Sequence, residues 1–348
     1  MSTAFTLPYA LVQPLLGAAA DHFGKTRLMT GCLLIVALAA LVGAVATSFS
    51  LLVAMRIAAG LVAGGLFPVA LAIIGDLVPV NQRQVAIGRL LAFGLTGNLV
   101  GASIAGVIGD VFGWRGVFLV FGLFALTMTM IAFFAFRGPT TTKAGPFRLA
   151  SVAAGFRSVF ADPRAKICFG SVFLEGIFIQ GLFPYVAILL LATGEARASL
   201  AGLVIAAFGL GGVLYSFSVP VFVRNYGERR LMLTGGALAA CALVLVALGL
   251  PWYALAPVFG MLGFGFYLLH GSIHVHVTEL SDTARGAATS LHSCAFYLGQ
   301  AAGPVFYGFT FAHGASTPSI IAGAMVVLGV SMVCARLLRH PIAPEAHG

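Results

Sequence analysis

Gly17-Ala18-Ala19-Ala20-Asp21-His22-Phe23-Gly24-Lys25-Thr26-Arg27-Leu28-Met29 is a short charged turn set between two apolar runs. Its later part falls, after a shift of 203 residues, on Arg224-Asn225-Tyr226-Gly227-Glu228-Arg229-Arg230-Leu231-Met232. The glycine, a charged residue after it and the Arg-Leu-Met ending are kept. A second region repeats at a shift of 202, where Gly97, Gly101 and Gly106 fall on Gly299, Gly303 and Gly308. The chain therefore reads as two related halves. Each half is a series of apolar runs separated by short charged or Gly/Pro breaks.

Composition says what surrounds those runs. Of 348 residues, 60% are hydrophobic and 8% charged, against about 25% charged in soluble domains. Mean hydropathy is +1.05. These values exclude a soluble globular enzyme, a disordered chain and a nucleic-acid-binding module. Eleven candidate spans follow, at 2–20, 28–47, 51–77, 86–110, 115–136, 166–192, 200–223, 231–250, 253–278, 287–312 and 318–337. Each is near or above the roughly 20 residues that cross a bilayer. The run from Met1 to Ala20 lacks the positive start of a secretory leader and reads as a span. The five cysteines are scattered singly and suggest neither a disulfide framework nor a metal site.

The net charge of +9 reports topology. Alternate loops hold Lys25 and Arg27; Arg83 and Arg89; Arg137, Lys143, Arg148, Arg157, Arg164 and Lys166; Arg224, Arg229 and Arg230; Arg285; Arg336 and Arg339. The opposite loops hold Arg115 and Arg197. The positive-inside rule places the first set in the cytoplasm, so the N-terminus lies outside and the C-terminus inside. The expected organisation is a first membrane half at 1–137, a cytoplasmic linker at 138–165, a second half at 166–338 and a tail at 339–348. A short amphipathic helix is expected near Leu149–Phe160. Two similar halves joined by a linker make a transporter plan, with the site between them near mid-membrane.

Four motifs carry a family resemblance. Gly17-x-x-x-Asp21-x-x-Gly24-Lys25-x-Arg27 resembles the signature loop between the second and third helices of the major facilitator superfamily. Arg56-x-x-x-Gly60 resembles its fourth-helix motif. Gly97-x-x-x-Gly101-Ala102-x-x-Ala105-Gly106 resembles the antiporter motif of the drug:proton antiporter branch, which carries Pro at the place of Ala102 and Gly at that of Ala105. Trp114-Arg115-x-x-Phe118 is similar to the opening of the sixth helix. In the repeat register, the partner of 166–192 falls before Met1, so the expected fold is the all-α major facilitator fold of twelve helices less the first. The resemblance implies a monomer in the inner (plasma) membrane that exports a small molecule by alternating access, coupled to protons. No cofactor is expected, and no Ser/His/Asp or paired-carboxylate constellation points to an enzyme. An uptake symporter, a uniporter and a truncated, non-transporting membrane protein are the rival readings. The resemblance further implies a cytoplasmic gate in which Asp21, Lys25 and Arg27 engage Asp76 and latch the outward-facing state. Independently of the family, Gly24 suits a tight turn and Gly17 a close helix approach. The rows Gly97, Gly101, Gly106 and Gly299, Gly303 with Pro304 suit close helix packing, and Pro304 suits a kink.

Ionisable residues inside spans are functional candidates. Glu175 falls about nine residues into its span, near mid-membrane, on a face shared with Phe178, Ile179 and Leu182. A carboxylate there can take up and release a proton as access alternates, which makes Glu175 the candidate for coupling. Arg56 is placed to bind an anionic substrate group or to tune a proton site. His270 is expected to line the inner cavity, sharing a helix face with His274; His292 is a weaker candidate.

Overall fold

The computed structural model describes residues 1–136, 149–281 and 284–338, without the side chains of 16–23, 80, 84, 91, 92, 95, 98 and 149–151. The expected tail 339–348 and residues 138–148 of the linker lie outside the described residues. The helices are α1 (Ser2–Phe23), α2 (Lys25–Ala44), α3 (Phe49–Ala63), α4 (Leu66–Leu77), α5 (Val80–Ala135), α6 (Leu149–Phe160), α7 (Arg164–Phe178), α8 (Val186–Ala192), α9 (Ala198–Ala247), α10 (Trp252–Thr278), α11 (Arg285–Ala312) and α12 (Ser316–Leu337). A 3-10 turn, Gln180–Tyr185, joins α7 to α8. No strand occurs among the described residues. An all-helical answer is what an apolar chain needs, since a helix satisfies its own backbone where water is absent.

Two of these helices are hairpins. A Cβ on Gly109 would lie 3.8 Å from Val117 Cγ2, although eight residues span about 12 Å of straight helix. The chain doubles back at Gly113, whose φ is 67°. In α9, Gly211 packs on Gly260 and Phe264 while Gly235 packs on Gly265 and Leu268. Positions 24 residues apart thus meet nearly one level of α10, and the reversal lies at Gly227, φ 72°. Gly227 is the repeat equivalent of Gly24, which separates α1 from α2 with φ 86°. Both copies of the turn that organises the sequence therefore use a left-handed glycine, a conformation that L side chains resist.

Among the described residues, seven segments are long and apolar enough to cross a membrane by length and composition alone. Dividing the two hairpins and adding α1 and α11 gives the eleven crossings expected. Two spans are broken. The expected 51–77 stops at Gly64–Gly65, where α3 gives way to α4. The expected 166–192 loses its α-helix at Ile179, in a stretch holding Gly181 and Pro184. Glycine weakens helix there, and proline removes a donor.

The second half holds the large apolar core, with Phe259, Leu262, Leu269, Leu243 and Val327 fully buried. Many large apolar side chains point outward instead, Phe217 at 81% and Phe112 at 70% exposure among them. Such a surface suits hydrocarbon and would be a severe liability in water. Helix α6 forms where an amphipathic helix was expected. It sits against α11, with Gly155 near Ala287 and Ser158 Oγ 3.2 Å from Ser281 Oγ.

Among the described residues, the basic loops gather at one end of the bundle, called here the basic end; the loops around Ala46, Gly113, Gly194, Gly249 and Gly314 form the far end. The halves meet along two seams. In one, α5 approaches α9 backbone to backbone. Gly106 faces the Ala198 carbonyl, and Gly202 faces that of Ala102. Asp110 then crosses the seam to cap α9, accepting the backbone N–H of Ala198 at 2.6 Å and of Ser199 at 2.9 Å. A carboxylate at a helix N-terminus satisfies orphan donors and complements the helix dipole. In the other seam, α1 packs on α11, and the Thr3 hydroxyl donates to the Ala301 carbonyl at 2.8 Å.

Candidate transport site

The break in α7 shapes the site. Helix α7 reaches α11 through glycine: Gly176 lies against the Phe296 carbonyl, Gly299 against that of Phe173, and Gly181 against Gly303. The Tyr307 hydroxyl donates to the Phe178 carbonyl at 2.9 Å, a group near the point where the α-helix ends. The Tyr185 hydroxyl donates to the Pro304 carbonyl at 2.6 Å. The last α-helical turn of α7 is thus fixed, and with it Glu175.

Glu175 is fully buried. Its Oε2 lies 2.7 Å from His270 Nδ1 on α10. Its Oε1 has no hydrogen-bond partner among the described residues. His270 stacks on Phe266, with ring centres 4.7 Å apart, and meets Phe296 edge-on at 5.0 Å. A carboxylate enclosed in apolar surroundings needs a proton or a positive partner, and His270 is placed to supply either. Two further imidazoles continue from it. The ring of buried His292 is 4.9 Å from His270, and His274 is 4.8 Å from His292.

Among the described residues, cavities of about 660, 490 and 960 Å³ follow one another between the halves. The first, towards the far end, is lined by Arg56, Phe118, Trp114 and Leu52. The second, central one is lined by His270, Phe208, Phe266, Phe296, Tyr267 and Leu99. The two share Phe5, Phe183, Gln180 and Gln300. The third, at the basic end, is lined by His274, Gln13, Phe67, Ile87 and Phe156. It shares Tyr9 and Tyr297 with the central one. Those two rings are packed edge to face, 4.5 Å between centres, and are the wall between the two spaces.

The remaining expected residues fall as follows. Arg56 is half-buried, with Cζ 4.2 Å from the centre of the Phe118 ring, a cation–π contact within the first half. Lys25 Nζ is 2.7 Å from Asp76 Oδ2. That pair ties α2 to α4, so by itself it joins nothing across the halves. Arg27 is exposed. The side-chain region of Gly17 and Asp21 lies outside the described residues. Gly299 and Gly303 pack as tightly as expected, and Gly106 does so at the far end. Gly97 and Gly101 depart from the expectation, meeting no described atom within 4 Å. The reason is that α7 covers the glycine row of α11, whereas no described helix takes the corresponding place against α5. In the second half, Glu228 Oε1 lies 3.3 Å from His276 Nε2.

Sequence reasoning missed the Asp110 cap, the Tyr9–Tyr297 wall and the contact of His292 with both other rings. A lone acidic residue three positions before the Gly113 turn was a signal for the first. The other two depend on contacts between helices.

The family model of the Major Facilitator Superfamily matches residues 1–304 and 187–348. The chain belongs to the major facilitator superfamily. It is 21% identical, over 96% of its length and 86% of the relative's, to Multidrug resistance protein 1 of Bacillus subtilis (strain 168). It is 27% identical, over 67% of its length and 58% of the relative's, to a "Multi-drug resistance efflux pump PmrA homolog" of Lactococcus lactis subsp. lactis (strain IL1403). A solved bacterial homologue of the human lysosomal transporter Spinster, in an inward-facing and unoccupied conformation, matches 99% of this chain and 92% of its own. The TM-score is 0.71 at 19% identity, a likeness of fold. In this major facilitator chain, then, His270 and the aromatic wall line the space between the two halves, and Glu175 is buried within the second half behind His270.

Proposed function

We propose that this major facilitator protein exports small apolar or amphipathic molecules in exchange for protons, by alternating access between the halves 1–137 and 166–338. The observation that carries the reading is the buried Glu175–His270 contact at the edge of an aromatic cavity between the halves. The names of the two relatives, a multidrug resistance protein and a multi-drug resistance efflux pump homologue, favour export, and the aromatic lining of the central cavity favours an apolar cargo. Taking the basic end as cytoplasmic, the seam capped by Asp110 is the outer one and the 960 Å³ cavity faces the cytoplasm. Cargo enters there and reaches Phe208, Phe266 and Phe296. Protonation of the Glu175–His270 pair changes the buried charge, and with it the relative stability of the two orientations. Arg56 tunes the outer cavity, and the Lys25–Asp76 pair holds the cytoplasmic ends of α2 and α4 in register. The working unit is one chain in the plasma membrane.

The test is transport of ethidium in proteoliposomes under an imposed pH gradient. Wild type is expected to accumulate ethidium against the proton flow. Glu175→Gln is expected to lose gradient-driven accumulation while keeping exchange of ethidium for ethidium. Undiminished gradient-driven transport by that variant would remove Glu175 from coupling. Cargo moving in the same direction as protons would make the protein a symporter.

A further inference from the structure

The histidines beyond His270 have no part in the scheme above, yet they lead out of the site. His270 faces Glu175 with Nδ1, which leaves its Nε2 for another partner. The next ring, His292, is 3% exposed, and its Nε2 has no hydrogen-bond partner among the described residues. A buried polar nitrogen in that condition is costly and calls for a water or a proton-bearing neighbour. His292 touches His270 on one side and His274 on the other. His274 in turn lines the basic-end cavity. The row therefore starts at the central cavity and ends in the next one, passing the Tyr9–Tyr297 wall that separates them.

We propose that His292 and His274 conduct the proton between the Glu175–His270 pair and the basic-end cavity, around the tyrosine wall and apart from the path of the cargo. Imidazole suits this because it accepts at one ring nitrogen and donates from the other. A proton arriving at one nitrogen of His274 releases a different proton from its second nitrogen to His292. His292 passes one to His270 in the same way, and His270 delivers one to the Glu175 carboxylate. Each imidazole ends neutral in its other tautomer, and ring rotation or a bridging water resets it. One proton enters and one is delivered, with no other group altered. Ring centres 4.8–4.9 Å apart permit transfer directly or through one water.

The titratable groups facing the row are Glu175 on α7, Tyr9 on α1, Tyr267 on α10 and Tyr297 on α11, with Tyr215 of α9 stacked on Tyr267. His276 belongs elsewhere, since it meets Glu228. The basic-end mouth of α7 and α10 carries the Asp162, Arg164 and Glu279 cluster, in which Arg164 bridges both carboxylates.

The proposal rests on Glu175 as the coupling carboxyl, and the experiment separates the two ideas. Full-length protein carrying a C-terminal tag is captured in proteoliposomes so that the basic end faces the bath. An acid pulse is applied there, without cargo. Time-resolved infrared spectroscopy follows the carboxyl band that disappears in Glu175→Gln. Wild type is expected to protonate promptly. His292→Leu and, separately, His274→Phe are expected to slow the band on the order of 10²-fold, the scale of a positioned proton-transfer group. Exchange of ethidium for ethidium is expected to stay at the wild-type rate in His292→Leu, and a thermal unfolding midpoint near the wild-type value shows that His274→Phe is folded. An unchanged infrared rate in both variants overturns the relay and leaves the coupling carboxyl standing. Absence of any carboxyl band assignable to Glu175 overturns the coupling reading and the relay with it.

Discussion

At the residue scale, glycine decides where helices touch, and the two halves treat it differently. Gly299 has no room for a Cβ, because the Phe173 carbonyl occupies the place. Gly299→Ala is therefore expected to lower stability by about 1–3 kcal/mol, as overpacking does. Gly101→Ala, at a position open to 4 Å, is expected to be neutral or to stabilise by up to about 1 kcal/mol through helix propensity. Thermal unfolding of the two variants in detergent compares them directly, and equal losses would contradict the packing described. The sequence marked both glycines alike, because spacing along one helix cannot tell which row another helix covers. Glu175 and His270 are a related case. Each was legible as an ionisable group inside a span. Their contact was not, since it joins α7 to α10 across 95 positions of chain.

At the element scale, the breaks are where the sequence was least explicit. The runs 51–77 and 166–192 read as single spans because hydropathy continues straight through them. Their interruptions depend on Gly64–Gly65 in one case and on Gly181 with Pro184 in the other. The α7 break is held by a tyrosine hydroxyl, so Tyr307→Phe is expected to destabilise by about 1–3 kcal/mol, leaving the Phe178 carbonyl without its donor. A rate of ethidium exchange that falls with it would tie the break to function; chemical unfolding measures the first effect. Gly227, by contrast, was legible as a turn from its repeat equivalent Gly24. Gly227→Ala is expected to destabilise by about 1–2 kcal/mol from left-handed backbone strain, read in the same assay. No loss would mean that the turn does not need its positive φ.

At the scale of the whole molecule, the eleven crossings and the two related halves were visible in apolar run lengths and in a repeat of about 203 residues. The cavities were not, because they are defined by what the halves leave unfilled. The charge of the far-end Glu195 is settled well away from neutral pH. Glu195 accepts from the side chain and the backbone N–H of Arg197, which pushes its carboxyl down from 4.5 to about 2. A lowered folded value means that the pair's contribution is complete above about pH 4.5 and is lost as pH falls through about 2. Any change in transport between pH 5 and 8 is then expected to survive Glu195→Gln and to disappear in variants of the histidine row. A pH–rate profile of both decides it.

The Asp110 cap has one more consequence. The amides of Ala198 and Ser199 are held by a carboxylate from the opposite half, so they are protected while the far end is shut. When the far end parts, the same two N–H groups face water. Deuterium uptake at the start of α9 is then a label-free clock of the conformational cycle, faster whenever the protein spends more time open to the far side. Glu175→Gln would change its rate without touching it.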